Sequence, residues 1–399
     1  MDLSLERVVE VAGRLNLLKP IATVITIAGT NGKGSCAAGL EAVYLRRGYK
    51  VGVFSSPILF KHNEYVRIQG TDVSDKQFCE AFEQIEKARG DITLTPFEFN
   101  ALAAFYIFHQ EKCDVWLLEV GLGGRFDATN VIESDLAIVT SIGIDHVEWL
   151  GDTREKIAYE KAGIFRNNKP VVCGDFDPPL TLIECAEQLD APLYCQNKAF
   201  HYEKQDSTWT WQSATTHFKN LPIPTLALQN MSTVLMAVEL LQPKLPVAVE
   251  IIEAAMANVR LIGRIHIIPG HVSRIFDVSH NPASAELLKK SLQEKNGSGK
   301  TRAVFSMLMD KDIVSTLQVM KDCIEEWHIA PLSIKRGATL PQLESSFAIA
   351  EIQNVQSYDS IVAAYEKALE LSTEGDRVIV FGSFHTVADV GQAHANSFA

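Results

Sequence analysis

Short, continuously apolar runs recur along the chain, separated by amphipathic stretches. "TVITIA", "KVGVFSS", "DVWLLEVG", "LAIVTSI" and "KPVVCGD" are apolar almost throughout rather than alternating, the pattern of strands covered on both faces. Between them, "SCAAGLEAVYLRRG", "SDKQFCEAFEQIEKARG", "PFEFNALAAFYIFHQEK" and "TREKIAYEKAGIF" carry helical patterning. The first two end in glycine, a frequent helix stop, and Ser74 and Thr153 stand where N-caps belong. This alternation predicts an α/β domain with a doubly wound, mostly parallel sheet.

Residues 198–224 break the rhythm. They are rich in aromatic, threonine and turn residues and predict an antiparallel excursion at a sheet edge, followed by helices near 231–242 and 247–258. The pattern restarts around "LIGRIHIIPGHVSR". There "RIFDVS", "RAVFSML", "WHIAPL" and "RVIVFGS" read as strands of a smaller, Rossmann-like α/β domain. The expected division is 1–264 and 265–399. A later "GSGKT" invites a phosphate-loop reading, but it follows a helix and precedes a strand. That order is the reverse of what a phosphate loop needs, so a surface turn is expected.

Composition narrows the class. Of 399 residues 47% are hydrophobic, enough for ordinary globular cores. Lys and Arg number 37 against 49 Asp and Glu, a net charge of −12, which argues against a nucleic-acid partner. No apolar run approaches the roughly 18 residues of a membrane span. Seven cysteines include no C-x-x-C pair, and "MDLSLERVVEVAGRL" lacks a signal-peptide core. The expectation is a cytoplasmic protein with reduced thiols.

Five stretches could carry chemistry. "AGTNGKGS" runs from a strand through glycines into a helix start, which offers free N–H groups and a dipole to an anion. It is P-loop-like without matching G-x-x-x-x-G-K-[ST], because Gly34 separates Lys33 from Ser35. "SSP" follows the second strand. In "LLEVGLGGRFDATN", Glu119 closes a buried strand, costly unless it is paired or binds a cation. His146 in "TSIGIDHVEWLG" follows another strand at the same edge. Lys161 in "EKAGIF" reads as a solvated helix lysine, which as an ammonium cannot ligate Mg²⁺.

In this order, with "LTPFEF", "LALQN", "FDVSHNP" and "GSFHTVA", these stretches resemble the Mur ligase superfamily. Within it they look most like the folylpolyglutamate synthases, especially those that are also dihydrofolate synthases. The likeness covers nearly the whole chain. It implies that Thr30, Asn31, Gly32, Lys33, Gly34 and Ser35 bind ATP. Asn230, Arg264 and Asp277 would complete the nucleotide site between domains, with His280 beside it. One Mg²⁺ would rest on Ser56 and Glu119, and a second would involve His146. Lys161 would be carbamylated, which turns it into a proper oxygen ligand. The pterin pocket maps to Thr95, Pro96 and Phe97 and to Phe126, Asp127 and Ala128, with Asp2 and Leu3 the remnant of a loop that helps hold dihydropteroate.

The implied reaction is ligation of L-glutamate to dihydropteroate or reduced folates by a monomer. ATP converts the acceptor carboxylate to an acyl phosphate, and the glutamate amine displaces phosphate. Lys33 and Arg264 would offset phosphoryl charge, so Lys33, Arg264 and His280 are the expected catalytic residues. Three positions depart from the family pattern: Ile58 stands for the histidine of S-S-P-H-L, Tyr65 for an arginine after glutamate, and Ile262 for the proline of L-P-G-R. Two other readings compete. A ligase acting on UDP-sugars usually has an extra N-terminal domain, and only a short stretch precedes the first strand here. A non-catalytic relative would keep Glu119, His146 and Lys161 buried for no return.

Overall fold

The computed structural model describes residues 4–294 and 299–394; Asp2 and Leu3 lie outside the described residues. The chain folds as two compact units that divide between Val259 and Arg260. The first holds β1 (Thr23–Ala28), β2 (Val51–Phe54), β3 (Val66–Ile68), β4 (Thr71–Asp72), β5 (Val115–Glu119), β6 (Leu136–Val139), β7 (Val171–Cys173) and β8 (Leu193–Cys195) in one sheet. Its order is β4-β3-β2-β5-β1-β6-β7-β8, parallel from β2 to β8, with β3 and β4 antiparallel at one edge.

β1 is almost wholly β-branched and sits centrally between two parallel neighbours, which suits side chains that pack on a pleated surface. One face of the sheet is covered by helices Glu6–Arg14, Asp75–Arg89 and Pro96–Gln110. There Phe105 and Phe108 pack on Trp116 with ring centroids 6.1 and 5.5 Å apart, each pair worth about 0.5–1.5 kcal/mol beyond area burial. Helices Arg154–Lys161 and Leu180–Gln188 supply a second core with Val139, Val171 and Cys173. Ser74 and Thr153 cap their helices as expected, accepting from the N–H groups of Gln77 and Lys156.

The aromatic segment is antiparallel, as expected, but stands apart from the first sheet. β9 (Phe200–Lys204), β10 (Thr208–Ser213) and β11 (His217–Pro222) form a separate three-stranded antiparallel sheet, rather than extending the edge of the first. The reason is burial: Phe200, Trp209 and Trp211 are all inaccessible, and the Trp211 indole donates to Ser232 O and Oγ at 3.1 and 3.0 Å. Ser232 lies on helix Leu228–Leu241, which also packs on β6 and β7 of the first sheet. Helix Val249–Asn258 follows.

The second unit contains β12 (His266–Ile268), β13 (Ser273–Phe276), β14 (Thr301–Phe305), β15 (Glu326–Ile329), β16 (Val355–Ser357) and β17 (Arg377–Phe381). Its order is β12-β13-β17-β14-β15-β16, and only β12 is antiparallel. Phe305, Trp327, Phe347 and Phe381 centre its core. All seven cysteines are free thiols, and among the described residues no helix is long and apolar enough to cross a membrane.

Candidate active site

Four parallel neighbours, β2, β5, β1 and β6, end at the same sheet edge, with Phe54 opposite Leu118, Ile27 opposite Glu119 and Ala28 opposite Val139. Their exits deliver Gly29, Ser55, Glu119 and Thr140 to one crevice, the usual ligand position in such sheets. The loop after β1 is laced to the exit of β6. Thr30 N donates to Ser141 O at 2.7 Å, Thr30 Oγ1 both donates to Gly143 O and accepts from Gly143 N, and Asn31 O accepts from Thr140 Oγ1 at 2.6 Å. Gly32 has φ 92°, and a Cβ there would fall 2.4 Å from Asn230 Oδ1, so the amide of Asn230 lies directly against the loop.

Helix Lys33–Arg47 then starts with no side-chain cap and no acid in its first turn. Its first N–H groups therefore face outward to whatever anion approaches. Lys33 Nζ donates to Gly29 O at 3.0 Å, so its charge curls back over the loop. Ser35 is buried in the first turn.

Glu119 is buried at the end of β5, and one of its oxygens, Oε2, accepts from Ser56 N at 3.4 Å. His146 adopts a left-handed backbone, φ 52°, uncommon outside glycine, and its N–H donates to Asp145 Oδ1 at 2.8 Å. Lys161 is buried as well. Burial first, and then the charge of Lys33, push its amine from 10.5 down to about 7, while Asp145 works the other way. Lys33, Asp145 and Lys161 thus share one neighbourhood. Gly124 explains how the helix end comes so close: a Cβ there would meet Glu160 O and Lys161 O at 3.0 and 3.1 Å.

Among the described residues no three His, Cys, Asp or Glu side chains converge as a metal set. The donors near this edge are instead the Ser56 hydroxyl, the Glu119 and Asp145 carboxylates and Lys161, while His146, expected from the sequence to be buried with them, is exposed. The hydroxyl and carboxylate oxygens among them are hard donors and fit a divalent cation of the Mg²⁺ kind.

Thr95 caps helix Pro96–Gln110 in a reciprocal pair: its hydroxyl accepts from Glu98 N at 3.3 Å and Glu98 accepts from Thr95 N at 2.6 Å. Phe97 packs on Phe54, with centroids 5.5 Å apart, and on Gly121, where a Cβ would sit 2.5 Å from its ring. That contact joins the Thr95–Phe97 segment to the loop carrying Phe126, Asp127 and Ala128. Asp127 is a buried organiser of that loop. It accepts from the N–H groups of Gly121, Leu122 and Thr129 and from the Thr129 hydroxyl, and burial raises its carboxyl against those bonds. Phe126 beside it is 48% exposed and Ala128 is buried.

The second unit gathers its own group. Asp277 accepts from Ile265 N and Ser279 N, both at 2.8 Å, and from the Ser279 hydroxyl. The Arg264 guanidinium lies 5.1 Å over the Phe384 ring, whose other neighbour is the His280 ring at 6.2 Å. His280 Nδ1 donates to Val278 O at 2.9 Å. Sequence reasoning missed Asp145 and Phe384, although each stands beside or inside a quoted motif.

Residues 27–219 match the Mur ligase middle domain, and residues 263–384 match the Mur ligase glutamate ligase domain. The chain is 43% identical over 390 residues to the dihydrofolate synthase/folylpolyglutamate synthase of Escherichia coli (strain K12), covering 98% of this chain and 91% of that one. The structure of E. coli FolC in complex with DHPP and ADP is 42% identical, with a TM-score of 0.95 and coverage of 100% and 95% of the two chains. A bifunctional folylpolyglutamate synthase/dihydrofolate synthase with Mn, AMPPNP and L-glutamate bound is 43% identical, with a TM-score of 0.93 and coverage of 98% and 94%.

Proposed function

Because this chain belongs to the dihydrofolate synthase/folylpolyglutamate synthase family of Mur ligases, we propose that it joins L-glutamate to dihydropteroate and to reduced folates at the expense of ATP. The observation that carries the assignment of the site is the uncapped helix start at Lys33 at the sheet edge where buried Glu119 ends β5, with the buried Lys161 amine within reach of the charges of Lys33 and Asp145. A phosphate loop alone would not call for such a set.

Within the loop Thr30–Ser35, the N–H groups of Gly32 to Ser35 would cradle the phosphates, while Thr30 and Asn31 donate theirs to Ser141 and hold the loop in place, with Asn230 against it at Gly32. Ser56 and Glu119 would hold one Mg²⁺, and His146 with carbamylated Lys161 a second; when bound, these ions offset charge on the phosphoryl oxygens. Lys33 would add a positive charge from the loop, and Arg264 another. Asp277 and His280 would border the nucleotide. Thr95, Pro96, Phe97, Phe126 and Ala128 would line the pterin pocket, while Asp127 holds the loop in shape; Asp2 and Leu3 would add to it.

A carboxylate is a poor acceptor for an amine because oxide leaves badly. Phosphoryl transfer from ATP gives an acyl phosphate and ADP; the glutamate amine attacks the acyl carbon, the C–O bond to phosphate breaks and the amine loses a proton. The site must exclude water at this stage, since the mixed anhydride hydrolyses. We place the reaction in a cytoplasmic monomer.

The test is incorporation of labelled L-glutamate, run in parallel on dihydropteroate and tetrahydrofolate. Both acceptors are expected to become labelled. Lys33→Met and Glu119→Gln should each lower the rate by about a hundredfold or more. Nucleotide binding without amide formed on either acceptor would contradict the proposal.

A further inference from the structure

Arg67 on β3 lies near the candidate metal loop and belongs to none of the motifs that brought the site to notice. Its NH2 donates to Glu41 Oε2 at 2.9 Å and its Nε to Glu41 Oε1 at 3.4 Å, while NH1 donates to Ser55 Oγ at 3.1 Å. The pair is nearly enclosed, with side chains 18% and 10% exposed. Ser55 N also donates to Tyr65 O at 3.1 Å, and the next residue, Ser56, donates its N–H to Glu119. Glu41 lies on helix Lys33–Arg47, whose first turn carries Lys33. A single guanidinium therefore ties the phosphate helix to the Ser55–Ser56 exit of β2.

A buried ion pair is a poor source of net stability, because desolvation offsets most of its attraction. What it supplies is geometry, since the planar fork of arginine can satisfy two partners in fixed directions at once. We infer that Arg67 is a positioning residue for metal binding: it fixes Ser55 so that Ser56 stays against Glu119, and Glu41 locks that arrangement to the phosphate helix. This rests on the reading of Ser56 and Glu119 as metal ligands. Lysine at 67 keeps the charge but cannot reach both partners. Alanine at 55 leaves the Arg67–Glu41 pair intact and removes only its grip on the loop.

The test measures binding rather than turnover. Free Mn²⁺ is followed by electron paramagnetic resonance with saturating ADP, for the parent, Arg67→Lys, Ser55→Ala and Glu119→Gln. ADP affinity in EDTA and the thermal midpoint are read alongside. Arg67→Lys and Ser55→Ala are expected to weaken Mn²⁺ binding about tenfold, the loss of one charge-assisted hydrogen bond, while ADP affinity without metal changes less than about twofold. If both bind Mn²⁺ within about twofold of the parent while Glu119→Gln loses it, the positioning role is overturned. If Glu119→Gln itself keeps Mn²⁺, the ligand assignment fails and the inference with it. Should Arg67→Lys fold poorly, Ser55→Ala decides alone, since it disturbs no ion pair.

Discussion

Replacing Lys161 by methionine should make the ligand-free protein more stable while abolishing ligation. Burial and the charge of Lys33 take its amine from 10.5 to about 7. That difference of about 3.5 units, at about 1.4 kcal/mol each, puts a penalty of about 5 kcal/mol on the charged form. The sign follows from proton counting. Between about pH 7 and 10.5 the unfolded chain holds a proton the native state lacks, so stability rises with pH across that window and is lowest below it. Methionine has similar length and no charge, so it escapes the penalty at every pH. With some relief from water penetration, Lys161→Met should gain about 2–4 kcal/mol at pH 7, and the gap should narrow by about 2 kcal/mol by pH 9. Urea unfolding in decarbonated buffer with EDTA and no nucleotide measures both numbers. A variant no more stable than the parent at pH 7, or a gap that stays constant to pH 9, would refute the reasoning.

Gly32→Ala would force a Cβ to 2.4 Å from Asn230 Oδ1 at a left-handed φ. ADP affinity by calorimetry should fall at least about tenfold, a cost of about 1–2 kcal/mol, and unchanged affinity would remove this loop from the nucleotide site. Asp127→Ala orphans three backbone N–H groups, so unfolding should become easier by about 2–4 kcal/mol and KM for dihydropteroate should rise. In the second unit, burial opposes the Asp376 charge, but the Thr373 N–H and Arg302 hold its carboxyl down at about 2. The stability this contributes is present above the unfolded value near 3.8 and is lost as pH falls through about 2. Asp376→Asn should therefore cost about 2–3 kcal/mol at pH 7 in urea, and well under about 1 kcal/mol near pH 2.

The strands of the first sheet were legible where they are fully buried, because a continuous apolar run leaves little choice: "TVITIA" is β1 residue for residue. β3, β4, β8 and β16 were not, since each is two or three residues long and too short to show a period. The separate antiparallel sheet was illegible for another reason. Its wealth of aromatic, threonine and turn residues was visible, but which surface Trp209 and Trp211 would meet depends on a helix that comes later in the chain. The phosphate loop was legible from its order of strand, glycines, lysine and helix. Lys161 was not, because a helix lysine in "EKAGIF" looks solvated until the glycine loop packs over it. Asp145, Arg67 and Glu41 are ordinary charges in sequence, and only the fold brings them to the crevice.

Oxygen tracing tests the central claim most directly. Dihydropteroate is prepared with ¹⁸O in its carboxylate and incubated with ATP, Mg²⁺ and L-glutamate, and the released phosphate is analysed by mass spectrometry. Activation as an acyl phosphate predicts one ¹⁸O in each phosphate formed, in step with the amide product. Phosphate released without the label, or released equally when dihydropteroate and L-glutamate are left out, would contradict it.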